Sequence, residues 1–178
     1  VVGEIAMLPK GNQTGKWRRL FEESIDTLRN SLFLSVHSAK ARTIAVVSSM
    51  SGEGKSSVSS QLALSIGKAT GKTVLLIDAD LRCPEQHEIF GLESEFGLCD
   101  VLSGTTSLKE AVTKTPSDLI DLLTAGSTEG NRHRLINSEK IQALIQSALK
   151  EYDYVIFDTA PILAAGEMLT VASAVDTT

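Results

Sequence analysis

Ser48-Ser49-Met50-Ser51-Gly52-Glu53-Gly54-Lys55-Ser56-Ser57 is the stretch whose reading decides the fold. An apolar run, Thr43 to Val47, leads into it, and a helical pattern, Val58, Leu62, Ile66 and Ala69, leads out. Strand, glycine loop and helix form the context in which a backbone cradles phosphate. Gly52 and Gly54 lack Cβ, so the chain can curl and turn its N–H groups toward one phosphate chain. The helix opening near Ser56 adds unpaired N–H groups and the positive end of its dipole. Gly54-Lys55-Ser56 fits the end of the Walker A form, although Ser49 stands where its first glycine is usual. In this reading Ser51, Gly52, Glu53, Gly54, Lys55, Ser56 and Ser57 surround the phosphates of ATP or ADP. Lys55 reaches the β- and γ-phosphates, and the Ser56 hydroxyl binds Mg²⁺. A surface turn beside an ordinary lysine would leave the flanking strand and helix unexplained.

Outward from the loop, strands alternate with helical patterns. A helix is expected from about Trp17, with Phe21, Ile25, Leu28 and Leu32 on one face. Its other face is charged, and Arg18–Glu22 and Arg19–Glu23 fall at pairing distance along it. Before it, Gly11 to Gly15 reads as a turn or linker, so residues 1–16 are set apart from a domain over 17–178. Beyond the loop helix, Gly71 suits a helix-ending position. Thr73 to Asp78 follows as a strand whose apolar run is continuous, as expected where helices cover both sheet faces. Pro84 suits the first turn of a short helix. Further short helices are expected around Leu98–Leu102 and Leu108–Val112. Leu119–Leu123 and Tyr154–Asp158 read as strands, Thr128–Arg134 as a polar loop, and Asn137 or Ser138 as the cap of a helix carrying Ile141, Leu144, Ile145 and Ala148. Ile162–Thr178 reads as helical stretches with no closing strand. The expected fold is α/β, a P-loop NTPase with a mostly parallel central sheet and helices on both faces.

The 178 residues suffice for one domain with a sizeable core. A net charge of −5 without a large basic block argues against nucleic acid as the main partner. No apolar run is long enough to span a bilayer, and the start shows no signal-peptide pattern. Cys83 and Cys99 are isolated and read as reduced thiols of a cytosolic protein, and the three histidines are too scattered for a metal site.

Ligands of an open parallel sheet bind beyond the carboxyl ends of its strands. The glycine loop, Asp78, Asp80 and Asp158 all fall at such ends. Asp78 and Asp80 lie two apart and would face the same way in extended backbone. Three carboxylates beside a triphosphate make chemical sense only with Mg²⁺ between them. Ser56, Asp78 and Asp158 are therefore the candidate metal ligands, with Asp158 as the Walker B type aspartate. Lys55, Asp78 and Asp80 are the candidate catalytic groups. One of Asp78 and Asp80 serves the metal shell, and the other orients or deprotonates an attacking hydroxyl.

Val74-Leu75-Leu76-Ile77-Asp78-Ala79-Asp80-Leu81-Arg82-Cys83-Pro84 resembles the Walker A′ motif of the bacterial tyrosine kinases. Tyr152-Asp153-Tyr154-Val155-Ile156-Phe157-Asp158-Thr159-Ala160-Pro161 resembles their Walker B segment. Gly97 to Gly104 and Leu135 to Lys140 are similar to further stretches, so the resemblance runs from about Glu22 to Leu169. It implies an ATP-dependent protein-tyrosine kinase controlling synthesis and export of capsular or extracellular polysaccharide. It also implies a transmembrane activator, fused or separate, a location at the cytoplasmic face of the plasma membrane, and substrate tyrosines in the kinase's own C-terminal tail. Val2 to Pro9 is similar to the segment after the last membrane helix of fused members, which gives residues 1–16 a juxtamembrane reading.

The departures carry expectations of their own. The family's Glu-x-x-Arg-x-x-Arg helix motif, which joins subunits into a ring, stands here as Glu23, Asp26 and Arg29. An acid in place of the first arginine predicts a monomer or small oligomer for this fragment alone rather than the family's homo-oligomeric ring. Ala160 stands where a proline is usual, and Cys83 where a second arginine is often found. No tyrosine-rich tail lies within these residues; Tyr152 and Tyr154 adjoin or enter a predicted strand. The alternatives are a partitioning or positioning ATPase switch, which would carry a lysine where Met50 stands, and a weakly active nucleotide-binding module regulating polysaccharide export.

Overall fold

The computed structural model describes residues 4–6, 15–35, 40–127 and 132–178, apart from the side chains of residues 132 and 133. The expected turn at residues 11–14, His37, and the polar loop at residues 128–131 lie outside the described residues.

Among the described residues five strands form one sheet: β1 (Thr43–Val46), β2 (Val74–Asp78), β3 (Thr113–Lys114), β4 (Ile120–Leu123) and β5 (Tyr154–Asp158). Their order is β1-β5-β2-β4-β3, parallel except for the antiparallel edge pair β3–β4. Four helices provide most of the covering layers: α1 (Gly15–Leu34), α2 (Lys55–Thr70), α6 (Ser138–Glu151) and α7 (Met168–Ala174). Three short ones, α3 (Gln86–Phe90), α4 (Leu98–Ser103) and α5 (Leu108–Ala111), lie in the segment between β2 and β3.

Every residue of β2 is buried, and the period of two along the strand divides them between two cores. Val74 and Leu76 join Ile44, Ile120, Leu122 and Ile156 beneath Phe21 and Ile25 of α1 and Leu62 and Ile66 of α2. Leu75 and Ile77 join Val155, Phe157 and Leu123 on the opposite face, against α4, α6 and α7. A strand covered on both sides has no need of polar alternation, which is why its apolar run is continuous. Among the described residues no helix is long and apolar enough to cross a membrane.

Several boundaries differ from the sequence-based expectation. Gly15 opens α1 instead of closing a linker. Pro84 precedes Glu85, the N-cap of α3, and so stands just outside that helix. Arg132–Leu135 forms a 3₁₀ turn where the sequence suggests loop. The edge strand β3 spans only two residues, too few for a periodicity to register. The chain's end does find the sheet: Ala45 N–H donates to Thr177 O at 3.0 Å, and Asp176 Oδ2 accepts N–H bonds from Arg42 and Thr43, each at 2.9 Å. Those amides hold the Asp176 carboxyl below its usual range although burial opposes them. Gly71 ends α2 as expected, at φ 67°, its N–H returning to Gly67 O.

Candidate nucleotide and metal site

β5 enters the sheet last and takes the place between β1 and β2. That insertion assembles the site, because the glycine loop follows β1 while Asp78 and Asp158 end β2 and β5. The two aspartates are paired partners in the parallel register, so their side chains leave the same face of the sheet at neighbouring positions.

Gly52 and Gly54 both hold left-handed backbone, φ 78° and 87°, a conformation that side chains with Cβ disfavour. Gly54 is the N-cap of α2 and supplies no side chain. The first helical bond runs from Val58 N–H to Gly54 O at 2.9 Å, which leaves the preceding N–H groups of the helix start open to an anion. Lys55 is buried within this turn, whereas Ser51, Gly52, Glu53, Gly54 and Ser57 are exposed. Glu53 turns its carboxylate back onto the loop, accepting Met50 N–H at 3.1 Å. That amide holds the Glu53 carboxyl below its ordinary range. The side chain therefore shapes the loop, and what Glu53 offers a phosphate is its backbone.

Asp78 and Asp158 are wholly buried, and Asp80 is nearly so. Both oxygens of Asp78 are occupied by backbone amides: Oδ1 accepts Asp80 N–H at 3.2 Å and Oδ2 accepts Gln86 N–H at 3.0 Å. The first of these closes a turn, so Asp80 reaches the site round a bend and not along an extended strand as its spacing suggested. Asp80 Oδ1 in turn accepts N–H bonds from Arg82 at 3.1 Å and Cys83 at 3.0 Å. Burial pushes the Asp78 carboxyl up to about 8, with the charges of Asp158 and Asp80 adding to it against the two amides. Burial also raises Asp158, against the hydrogen bond from the Gln86 amide and the nearby Ser56 and Ser59 hydroxyls. Ser56 and Asp158, proposed from sequence as metal ligands, are thus neighbours.

The sequence reading missed Gln86. Its side chain is completely buried, and Nε2 donates to Asp158 Oδ2 at 2.8 Å, Ser56 O at 3.0 Å and Ser59 Oγ at 3.0 Å. A glutamine in a short polar helix start gives no local sign of such a position. Arg82 was quoted only as part of a motif; it ties the same loop to α7 through Glu167 at 3.0 Å.

A nucleotide with a divalent cation fits these residues. Among the described residues, Asp158 Oδ1 and Gln86 Oε1 are the buried side-chain polar atoms without a hydrogen-bond partner. Such acceptors suit a cation, or water, and a divalent cation meets both. No Cβ placed on Gly52 or Gly54 would meet another atom within 4 Å, so the loop's mouth is open.

Tyr152 and Tyr154 lie at the other end of β5. The Tyr152 hydroxyl donates to Asp121 Oδ2 at 2.6 Å, and burial together with that carboxylate drives its pKa far up. Tyr154 stacks on Phe33 with ring centroids 5.8 Å apart. From Tyr154 to Asp158 the strand advances about 13 Å, four residues at about 3.3 Å each. Neither tyrosine is placed at the carboxylates.

Residues 41–176 match the family model of the AAA domain. The tyrosine-protein kinase YwqD of Bacillus subtilis is 35% identical over 159 residues, covering 89% of this chain and 67% of that protein. The chain spans only about a fifth of longer curated relatives, 22% and 20% in two cases. The kinase domain of the Escherichia coli tyrosine kinase ETK superposes with a TM-score of 0.81 at 30% identity, covering 88% of this chain and 62% of that one. The septum site-determining protein MinD of Pyrococcus horikoshii, solved with Mg-ADP, gives 0.61 at 28% identity, with 72% of this chain and 54% of that one covered. The phosphate loop, the aspartate pair in register and these likenesses agree, and the chain belongs to the bacterial tyrosine-protein kinases, built on the P-loop ATPase fold.

Proposed function

We propose that this chain is the catalytic domain of an ATP-dependent protein-tyrosine kinase that regulates synthesis and export of capsular or extracellular polysaccharide. The observation that carries the reading is the meeting of Lys55, Ser56, Asp78, Asp80 and Asp158 at one end of the sheet, with a buried carboxylate oxygen left unpartnered. In this reading the N–H groups of residues 51–57 and the Lys55 ammonium hold the phosphates of ATP, and later of ADP. Ser56 and Asp158 hold Mg²⁺, with Asp78 in its outer shell. Bound there, Mg²⁺ supplies neutralisation of the phosphate charge and polarises the transferred group.

The carboxylates divide by environment. Asp78 has both oxygens tied to amides and no exposure, which suits a fixed metal-shell group. Asp80 has Oδ1 tied and lies nearest to solvent, which suits the base that takes the proton of a tyrosyl hydroxyl as its oxygen attacks the γ-phosphate. The acceptor tyrosine comes from another copy or another segment, because Tyr152 and Tyr154 are held at the far end of β5. Residues 1–16 link the domain to a transmembrane activator, fused or separate, at the inner face of the plasma membrane, as the family resemblance implies. The positioning-ATPase alternative is weaker: Met50 occupies the place of that group's lysine, and the structural likeness to MinD is lower than to the kinase domain.

Mass spectrometry of protein expressed with its native flanking sequence, with and without Lys55→Met, tests the reading. Phosphotyrosine that depends on Lys55 is expected. ATP hydrolysis without phosphotyrosine would point to the switch, and nucleotide binding without turnover to the regulatory module.

A further inference from the structure

We infer that Gln86 is a positioning residue that sets the Asp158 carboxylate for metal and locks the second aspartate loop to the phosphate-loop helix; this rests on the nucleotide and Mg²⁺ reading above. One residue serves both aspartates of the paired strands. Its backbone N–H holds Asp78 Oδ2 at 3.0 Å, and its side-chain Nε2 holds Asp158 Oδ2 at 2.8 Å. The same amide nitrogen reaches Ser56 O and Ser59 Oγ in the first turns of α2, each at 3.0 Å. Ser59 spends its own proton on Ser56 O at 3.1 Å, leaving its lone pairs free to accept from Gln86.

The amide's orientation follows from its surroundings. Turned over, it would set Oε1 against the Asp158 carboxylate and two further acceptors. With Nε2 inward, Asp158 Oδ2 is engaged by Gln86 and Oδ1 is left without a partner, as is Gln86 Oε1. A carboxylate anchored through one oxygen presents the other in a defined direction, which is how an outer-shell group orients a metal ligand. Both unpartnered atoms are acceptors, so they match a cation and the water it carries, not an anion. Gln86 is also the first residue of α3. A shift of the Asp78–Cys83 loop would therefore be felt at Ser56 and Asp158 together.

Calorimetry of ADP binding to the chain, once with Mg²⁺ and once with a chelator, tests the role. The ratio of the two affinities is the readout, since loss of general packing would lower both. Gln86→Met keeps length and volume but removes the donor. The ratio should fall about tenfold or more, with chelator-measured affinity changed less than about twofold. Should that variant not fold, Gln86→Asn, which keeps the amide but draws it back by one methylene, should lower the ratio likewise. In an Asp158→Asn background Gln86→Met should change the ratio little further, since Gln86 acts through that carboxylate. Equal losses with and without Mg²⁺, or additive losses in the double variant, would overturn the role. Absence of Mg²⁺-dependent ADP binding in the unmodified chain would refute the proposed function and this role with it; intact binding indifferent to Gln86 would refute this role alone.

Discussion

Asp78→Asn in the metal-free chain should change how stability depends on pH. In the folded state Asp78 titrates at about 8, against 3.8 for the unreacted group, with burial as the first cause. A carboxyl whose folded pKa is raised holds its proton longer when folded than when unfolded. Folding is therefore favoured by this group at low pH, and that advantage drains away as pH rises from about 4 to about 8. Between pH 5 and pH 8 the ceiling is about 4 kcal/mol, three pH units at about 1.4 kcal/mol each. The asparagine variant lacks the titration, so its own profile should be flatter by about 2 kcal/mol or more over that window, allowing for relaxation around the buried group. The variant also has a cost, because asparagine offers one acceptor to two backbone amides, those of Asp80 and Gln86. One N–H then loses its partner, at about 1–3 kcal/mol. Asp78→Asn should thus be the less stable protein at pH 5, with the gap narrowing or inverting by pH 8. Urea denaturation in EDTA across that range reads it directly. Parallel profiles for the two proteins would refute the claim that burial raises the Asp78 carboxyl.

Two further outcomes follow from the packing. Gly97→Ala should destabilise the fold by about 1–3 kcal/mol or more, measured by thermal denaturation. The reason is space and not backbone angle: at φ −157° the residue is extended, but a Cβ would come within 2.2 Å of Gly126 N and 2.4 Å of Thr124 O, both backbone. The isolated chain should be a monomer or small oligomer by light scattering, and Asp26→Arg should shift it toward larger species. Asp26 pairs with Arg29 at 3.1 Å, and Arg29 also donates to Ser65 of α2 at 2.8 Å, leaving its side chain only 13% exposed. Arg29 is thus engaged within its own chain, and Asp26→Arg removes the carboxylate that helps hold it there. A stable ring of the unmodified chain would refute this.

Local features were legible in the sequence because their causes are local. The apolar runs behind β1, β2, β4 and β5 are contiguous, and each strand lies within a residue of its expected span. The phosphate loop is likewise a single stretch, so glycine, lysine and serine at fixed spacing announced it, and the strand ends placed Asp78, Asp80 and Asp158 on one side of the molecule. β3 escaped because two residues carry no period, and its pairing is stabilised by β4, not by its own composition.

The division of labour inside the site was decided by tertiary structure. Which oxygens of Asp78 and Asp158 are spent, and which is left, depends on Gln86 meeting segments 27, 30 and 72 residues away along the chain. No spacing rule reports such contacts. The same holds for Asp26: its sequence position predicted repulsion of a neighbour, whereas Arg29 one turn on and, through packing of α1 on α2, Ser65 give its carboxylate partners within the chain. The chain's own order of residues determined where backbone turns and strands end, because those follow from each residue's sterics and neighbours. Burial, carboxylate pairing and proton affinity depend on β5 lying between β1 and β2, since desolvation and repulsion depend on what surrounds a group in space.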